Sequence, residues 1–319
     1  ELVDTRDLKS LDLTVVPVRF RPRAPLKTAK ITLNLLIMLT TTEHSREREG
    51  FKYIYPVISR RSGGLSVGIN LNTNNACNWR CIYCQVPQLT RGSAPPVNLE
   101  TLQNELRFFL DSVLHGDFYE TEEIPKKLQE IKDIALSGNG EPTTADEFEQ
   151  VVDVLKDVIK DLPILKQIKC VLISNGSLVN RDYVQRGLSK LAEINGEVWF
   201  KIDSATPKGM EKINQISGNE LSTTKRLAIS AKLCPTYIQT CMFMFNKSLP
   251  SPTEINAYLE MLSKVVEEGI SIKGVLLYGV ERPSLLPEAA EKIAKLPEDW
   301  MLALGEKIKA IGLDVKVSV

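Results

Sequence analysis

Asp133-Ile134-Ala135-Leu136-Ser137-Gly138-Asn139-Gly140-Glu141-Pro142-Thr143-Thr144 reads as a short apolar strand that runs into a glycine-rich turn and on toward a helix. Thr144 is expected to open that helix, whose apolar positions Phe148, Val151, Val152, Leu155, Val158 and Ile159 recur at helical spacing. Upstream, Asn98 can cap a helix carrying Leu99, Leu102, Leu106, Phe109, Leu110 and Val113, and Gly116 after His115 stops it. Downstream the alternation continues. Strands are expected at 170–174, 197–203, 237–245, 272–279 and 315–319, and helices at 181–194, 208–216, 223–233, 253–268, 287–296 and 297–311. Strands with helices between them imply parallel pairing, right-handed crossovers and a sheet covered by helices. The fold class expected is therefore α/β, a partial (β/α) barrel of parallel strands with helices outside, over 53–319, plus an N-terminal extension over 1–52.

The 319 residues are 43% hydrophobic and 25% charged, enough for one large domain of this kind. Six cysteines in so long a chain do not make a disulfide scaffold; they fit a reducing compartment, so a cytoplasmic location is expected. Net charge is zero but uneven: residues 1–98 carry 14 Lys and Arg against 7 Asp and Glu, the remainder 26 against 33. That excess could attract an anionic partner, yet the chain as a whole is not basic as a dedicated nucleic-acid binder is. Arg19, Arg21, Arg23, Lys27 and Lys30 supply much of it, ahead of an apolar run from Ile31 to Leu39. The run falls short of the roughly 20 apolar residues a bilayer requires, so no membrane span is expected. Asp4, Asp7, Asp12 and the missing initial Met weigh against a targeting peptide, and the segment is read as an extension packed on the core.

Cys77-Asn78-Trp79-Arg80-Cys81-Ile82-Tyr83-Cys84 sets three thiols in a C-x3-C-x2-C loop. A structural [4Fe–4S] cluster takes four cysteines and a structural zinc site four closed ligands, so a set of three leaves one iron of a cubane open for chemistry. The nearest histidines, His44 and His115, lie more than thirty residues away and show no ligand spacing. Three incidental thiols, or a zinc site completed from elsewhere, form the other reading. Cys170 and Cys241 fall inside expected strands, where free cysteine usually serves as a small buried hydrophobe; with Cys234 they could otherwise bind an auxiliary cluster.

Chemistry in such a sheet collects at the C-terminal strand ends. There the glycines of the 138–141 turn let a ligand approach the backbone, and Glu141 can offer an acceptor to an ammonium. Ile173-Ser174-Asn175-Gly176-Ser177 is a second polar strand end. In Trp199-Phe200-Lys201-Ile202-Asp203, period-two alternation puts Lys201 and Asp203 on one face, toward the lumen. The two could act as catalytic acid and base, form a structural ion pair, or contact a cosubstrate.

Together the cysteine loop after one strand, the glycine–glutamate turn after the next and the polar ends of later strands resemble the radical S-adenosylmethionine superfamily. More narrowly, Ile58-Ser59-Arg60-Arg61-Ser62-Gly63-Gly64-Leu65-Ser66-Val67-Gly68-Ile69-Asn70, Ser137 to Thr143 and Leu277-Tyr278-Gly279-Val280-Glu281-Arg282-Pro283 resemble Fe–S oxidoreductases related to the wyosine (tRNA)-synthesis enzymes. The resemblance spans about 53–285 and implies that Cys77, Cys81 and Cys84 hold a [4Fe–4S] cluster. It implies that S-adenosylmethionine chelates the open iron, with Tyr83 by the adenine and Gly138, Asn139, Gly140 and Glu141 receiving the methionine amino group. Ser174 and Asn175, with Lys201 or Asp203, would approach the ribose or the carboxylate. A flavodoxin- or ferredoxin-like donor would reduce the cluster, and a 5′-deoxyadenosyl radical would abstract hydrogen from substrate.

The wyosine-synthesis enzymes place a second cluster on cysteines upstream of the radical motif, and here no cysteine precedes Cys77. Arg60, Arg61 and Arg282 could grip a substrate phosphate or carboxylate, or pair with acidic neighbours. Two further classes stand beside the radical enzyme. An Fe–S electron-transfer or binding protein would need no cosubstrate pocket, against which the 138–141 turn argues. A tRNA-modifying enzyme would need a phosphate-tracking basic surface. A small molecule, a peptide or RNA each fits as substrate.

Overall fold

Strand residues alternate between the two faces of a sheet, so the pattern of apolar and polar positions decides what each face meets. The computed structural model describes residues 50–59, 63–216 and 222–319. The expected N-terminal extension, save Gly50 to Lys52, and the pair Arg60 and Arg61 lie outside the described residues. The main sheet contains β1 Ile54–Ser59, β2 Gly64–Asn70, β3 Ile131–Ser137, β4 Lys169–Ser174, β5 Gly196–Lys201, β6 Thr236–Met242, β7 Gly274–Gly279 and β8 Val315–Ser318. They stand side by side in chain order and curl into a half-barrel.

Every neighbouring pair from β2 to β8 is parallel, as expected. β1 departs from that pattern and pairs antiparallel with β2. The connection between Ser59 and Gly64 is too short for the crossover that a parallel partner demands, so the chain can only fold back on itself.

The helices α1 Leu99–Leu114, α2 Phe148–Asp161, α3 Asp182–Ala192, α4 Pro207–Asn214, α5 Thr223–Leu233, α6 Pro252–Glu267 and α7 Glu298–Ala310 fill the crossovers. Asn98 caps α1 by accepting from the Thr101 N–H at 2.8 Å. Thr144 does not open α2. Its hydroxyl donates to the Glu141 carbonyl at 2.7 Å and accepts from the Ala94 N–H at 2.9 Å, which commits it to the loop, and the helix begins at Phe148. The helix expected over 287–296 is absent as well. There Ile293–Ala294 pairs antiparallel with Met244–Phe245, and the Lys292 carbonyl accepts from the Asn246 N–H, so that backbone is tied sideways.

On the outer face of the sheet Val67, Ile69, Ile134, Leu136, Leu172, Val198, Phe200, Ile238 and Leu277 are buried with the apolar stripes of the helices. On the inner face stand Ser66, Asp133, Ser137, Lys201, Gln239 and Tyr278. The helix side of the sheet is the core, and the lumen is a cavity that mixes these polar groups with Val57, Ala135, Ile173 and Trp199. Helix α3 approaches α2 through Gly187, where an added Cβ would come within 2.5 Å of the buried Phe148 ring.

Gly187→Ala is expected to destabilise the protein by about 1–3 kcal/mol through overpacking, although helix propensity alone favours Ala by about 1 kcal/mol. Urea unfolding of the two chains checks the sign, and a gain in stability would contradict the packing described.

Candidate functional site

A cavity of about 650 Å³ occupies the lumen and reaches the C-terminal strand ends. Cys77, Cys81, Tyr83, Cys84, Gly138, Gly140, Glu141, Asn175 and Lys201, all singled out from the sequence, line it together. Asn139, Ser174 and Asp203 are buried behind that wall.

The cysteine loop is held by backbone groups from several directions. Its base is a short parallel pairing of Ala76–Cys77 with Thr90–Arg91. Helix α4 ends against it: the Arg80 N–H donates to the Asn214 carbonyl at 3.2 Å and the Ile82 N–H to the Ile213 carbonyl at 2.8 Å. The last carbonyls of a helix have no intrahelical donor, and here the loop supplies one. Beyond Asn214 the chain turns at Gln215, whose φ of 52° is left-handed. From the opposite side the Cys84 carbonyl accepts from the Leu285 N–H at 2.9 Å and the Ser284 hydroxyl at 3.3 Å. Arg91 donates to the Asn78 carbonyl at 3.0 Å and also to the Gln215 carbonyl, while Arg80 pairs with Glu288.

Burial pushes the Cys77 thiol up to about 12, with Glu141 and the neighbouring cysteines adding to the effect. Burial likewise pushes Cys81 up to about 12, reinforced by Asp203 and opposed by Lys201 and by the Asn214 amide, which donates to its sulfur at 3.3 Å. At neutral pH both groups are thiols unless a cationic partner takes the place of the proton. Among the described residues no three His, Cys, Asp or Glu side chains gather around one metal-ion position.

Asp203 and Lys201 do not form the ion pair their spacing allowed. β5 ends at Lys201, and Asp203 beyond it is 4% exposed. One carboxylate oxygen of Asp203 accepts from the Tyr83 hydroxyl at 2.5 Å and the Asn214 amide at 2.8 Å, and the other from the Cys241 N–H at 3.1 Å. Lys201 stays in the lumen, where its ammonium donates to the Tyr278 hydroxyl at 3.3 Å and lies 4.9 Å from the centre of the Tyr83 ring. Burial pulls its pKa down, but Tyr278, Asp203, Cys81 and Cys241 together hold it well above the ordinary lysine value. Tyr83 also leans on Phe243, with ring centroids 5.6 Å apart.

Glu141 joins two strand ends. One carboxylate oxygen accepts from the Thr143 N–H at 3.2 Å, the Thr143 hydroxyl at 2.6 Å and the Ser174 hydroxyl at 2.8 Å; the other accepts from the Asn175 N–H at 2.6 Å. Burial raises its pKa and these bonds lower it, with burial ahead. A carboxylate has about four acceptor sites, and the oxygen facing Asn175 accepts a single bond, so it keeps room for one more donor. The Gly138 turn is fastened by amides that sequence reading passed over: the Asn70 oxygen accepts from the Asn139 N–H at 3.0 Å and the Asn72 N–H at 3.1 Å, and Asn139 donates to Asn75 at 2.6 Å. Asn78 in the cysteine loop donates to Ser177 at 2.6 Å and accepts from Asn175 at 2.9 Å. The signal was present as a density of asparagines, at 70, 72, 74, 75 and 78. Asn214 had no such signal.

The family model of the Radical SAM superfamily matches residues 71–245, which contain the cysteine loop, the 138–141 turn, Lys201 and Asp203. UPF0026 proteins from Helicobacter pylori strains 26695 and J99 are each 27% identical; the first match covers 50% of this chain and 45% of the relative, the second 77% and 70%. The chain thus spans less than half the length of one of these relatives. A solved structure of TYW1 with a lysine-pyruvate adduct bound superimposes with a TM-score of 0.51 at 16% identity, over 78% of this chain and 74% of that one, a likeness of fold. Among the described residues no helix is long and apolar enough to cross a membrane.

Asp203→Ala would strip the acceptor from three buried donors and is expected to cost at least about 2 kcal/mol. Lys201→Met, which replaces a cavity-lining ammonium by an apolar chain, is expected to stay within about 1 kcal/mol of wild type. Denaturant unfolding of the metal-free chains measures both, and equal losses would reinstate a Lys201–Asp203 pair.

Proposed function

The chain belongs to the radical S-adenosylmethionine superfamily, and from that premise we propose that Cys77, Cys81 and Cys84 hold its [4Fe–4S] cluster while the adjoining cavity binds S-adenosylmethionine and the hydrogen-donating substrate. The protein is an enzyme whose cofactors are a [4Fe–4S] cluster and S-adenosylmethionine. One observation carries the residue assignment: three thiols, a carboxylate with a spare acceptor site and a lysine ammonium line a single cavity.

The residues present fit these groups. Three thiols on one loop match a cubane that takes one thiolate on each of three irons, and the burial that raises Cys77 and Cys81 is offset once iron replaces their protons. The turn beside them is glycine at 138 and 140; a Cβ at Gly140 would strike the Ala76 carbonyl at 2.1 Å, so only glycine lets the turn close on the base of the loop. When bound, cluster and cosubstrate supply one-electron cleavage of the sulfonium and a carbon radical that takes hydrogen from substrate.

The chain's own residues bind and orient. Glu141 offers its remaining acceptor site to the methionine ammonium, and the Gly138-Asn139-Gly140 backbone lies alongside. Lys201 presents its ammonium to the carboxylate, and Tyr83 flanks the adenine. Ser174 and Asn175 hold Glu141 in place, and Asn175, which lines the cavity, would approach the ribose. Asp203 works one step back, fixing Tyr83. Trp199, Gln239 and Tyr278 line the same lumen and would face the substrate. The electron comes from a flavodoxin- or ferredoxin-like donor. A reducing cytoplasm suits the three loop cysteines, which are free. Residues 53–319 form the catalytic domain.

Anaerobic reconstitution is expected to load about four irons per chain, and the triple change of Cys77, Cys81 and Cys84 to Ala to load none. With dithionite and S-adenosylmethionine the loaded enzyme should release 5′-deoxyadenosine. Lys201→Met should weaken cosubstrate binding by about 1–3 kcal/mol, measured by equilibrium dialysis, with iron content unchanged. A full cluster in the triple variant would overturn the metal assignment, and unchanged affinity would remove Lys201 from the site.

A further inference from the structure

Asn214 is the last residue of α4 and is 1% exposed. Its amide nitrogen has two hydrogens and two acceptors: Cys81 Sγ at 3.3 Å and Asp203 Oδ2 at 2.8 Å. An amide oxygen cannot face a carboxylate oxygen, so Asp203 dictates which end of the amide points inward and thereby aims the other N–H at the sulfur. The main chain fixes the same junction, because the Asn214 and Ile213 carbonyls accept from Arg80 and Ile82, the residues on either side of Cys81. Donor and sulfur are therefore held in register by three bonds across one interface.

We propose that Asn214 is a positioning residue that sets the reduction potential of the cluster through its hydrogen bond to the Cys81 sulfur. The inference rests on the reading that Cys81 is a cluster ligand. An N–H directed at a coordinated thiolate draws off negative charge, and a cluster gains negative charge on reduction, so the bond favours the reduced state and raises the potential. Asn214 thereby governs how readily an external donor can load the electron that starts the reaction, without touching cosubstrate or substrate.

The test is a redox titration of reconstituted wild type and Asn214→Leu, followed by the EPR signal of the reduced cluster, with iron content measured on both. At a fixed potential the reduced-to-oxidised ratio of the variant is expected to fall about tenfold, a midpoint lower by about 59 mV for one electron. Full iron content with an unmoved midpoint would overturn the proposal while leaving the cluster assignment standing. A triple Cys77, Cys81 and Cys84 to Ala variant that still loads a full cluster would overturn the assignment itself. If Asn214→Leu loads poorly, wild type labelled with ¹⁵N in asparagine side-chain amides decides. Pulsed EPR of its reduced cluster should show a weak nitrogen coupling from Asn214, since the amides of Asn78 and Asn175 donate to Ser177 and to Asn78. No coupling would overturn the proposal.

Discussion

The buried Asp203 carboxylate is shared by three elements. It accepts from Tyr83 in the cysteine loop, from Asn214 at the end of α4 and from the Cys241 N–H in β6. Each bond alone is worth about 1–3 kcal/mol because one partner is charged, and leaving any of the three donors unmet in the interior would cost a similar amount. The outcome is geometric as much as energetic. With Tyr83 and Asn214 fixed, the loop between them cannot swing, so the Cys81 sulfur has a defined place and the Lys201 ammonium finds an aromatic face beneath it.

The polarity of the sheet makes room for this arrangement. A sheet with apolar residues on both faces would have filled its lumen with side chains, as closed barrels of this type do. Here Val67, Ile69, Leu136 and Leu277 face the helices, while Ser66, Asp133, Gln239 and Tyr278 face inward. The helices provide the hydrophobic burial that stabilises the fold, and the inner face is left free for chemistry. The antiparallel β1 adds Tyr55, whose hydroxyl meets Ser137 at 2.8 Å, as part of the cavity wall.

Much of this was legible in the sequence because it is periodic or local. The strand at 133–137, the cap at Asn98 and the parallel order follow from spacing and from single residues with strong conformational preferences. The cysteine loop and the glycine turn are contiguous motifs, so their types and intervals carry their meaning. What stayed hidden depends on long-range pairing. Alternation placed Lys201 and Asp203 on one face, but β5 ends at Lys201, and beyond the strand the parity rule no longer holds. Asp203 consequently serves Tyr83, 120 positions away, instead of its neighbour. Asn214 sits in an ordinary amphipathic helix, and only the docking of that helix on the loop makes its amide matter. At 287–296 the periodicity is helical, yet pairing with Met244–Phe245 takes the backbone away.

The central claim is that three protein thiolates leave one iron of the cluster to the cosubstrate. Mössbauer spectroscopy of ⁵⁷Fe-reconstituted enzyme, recorded with and without S-adenosylmethionine, addresses it iron by iron. One iron in four is expected to change its isomer shift and quadrupole splitting when S-adenosylmethionine is added, as its coordination gains nitrogen and oxygen, while the other three keep the parameters of thiolate-bound sites. Four irons that respond alike, or not at all, would contradict the claim.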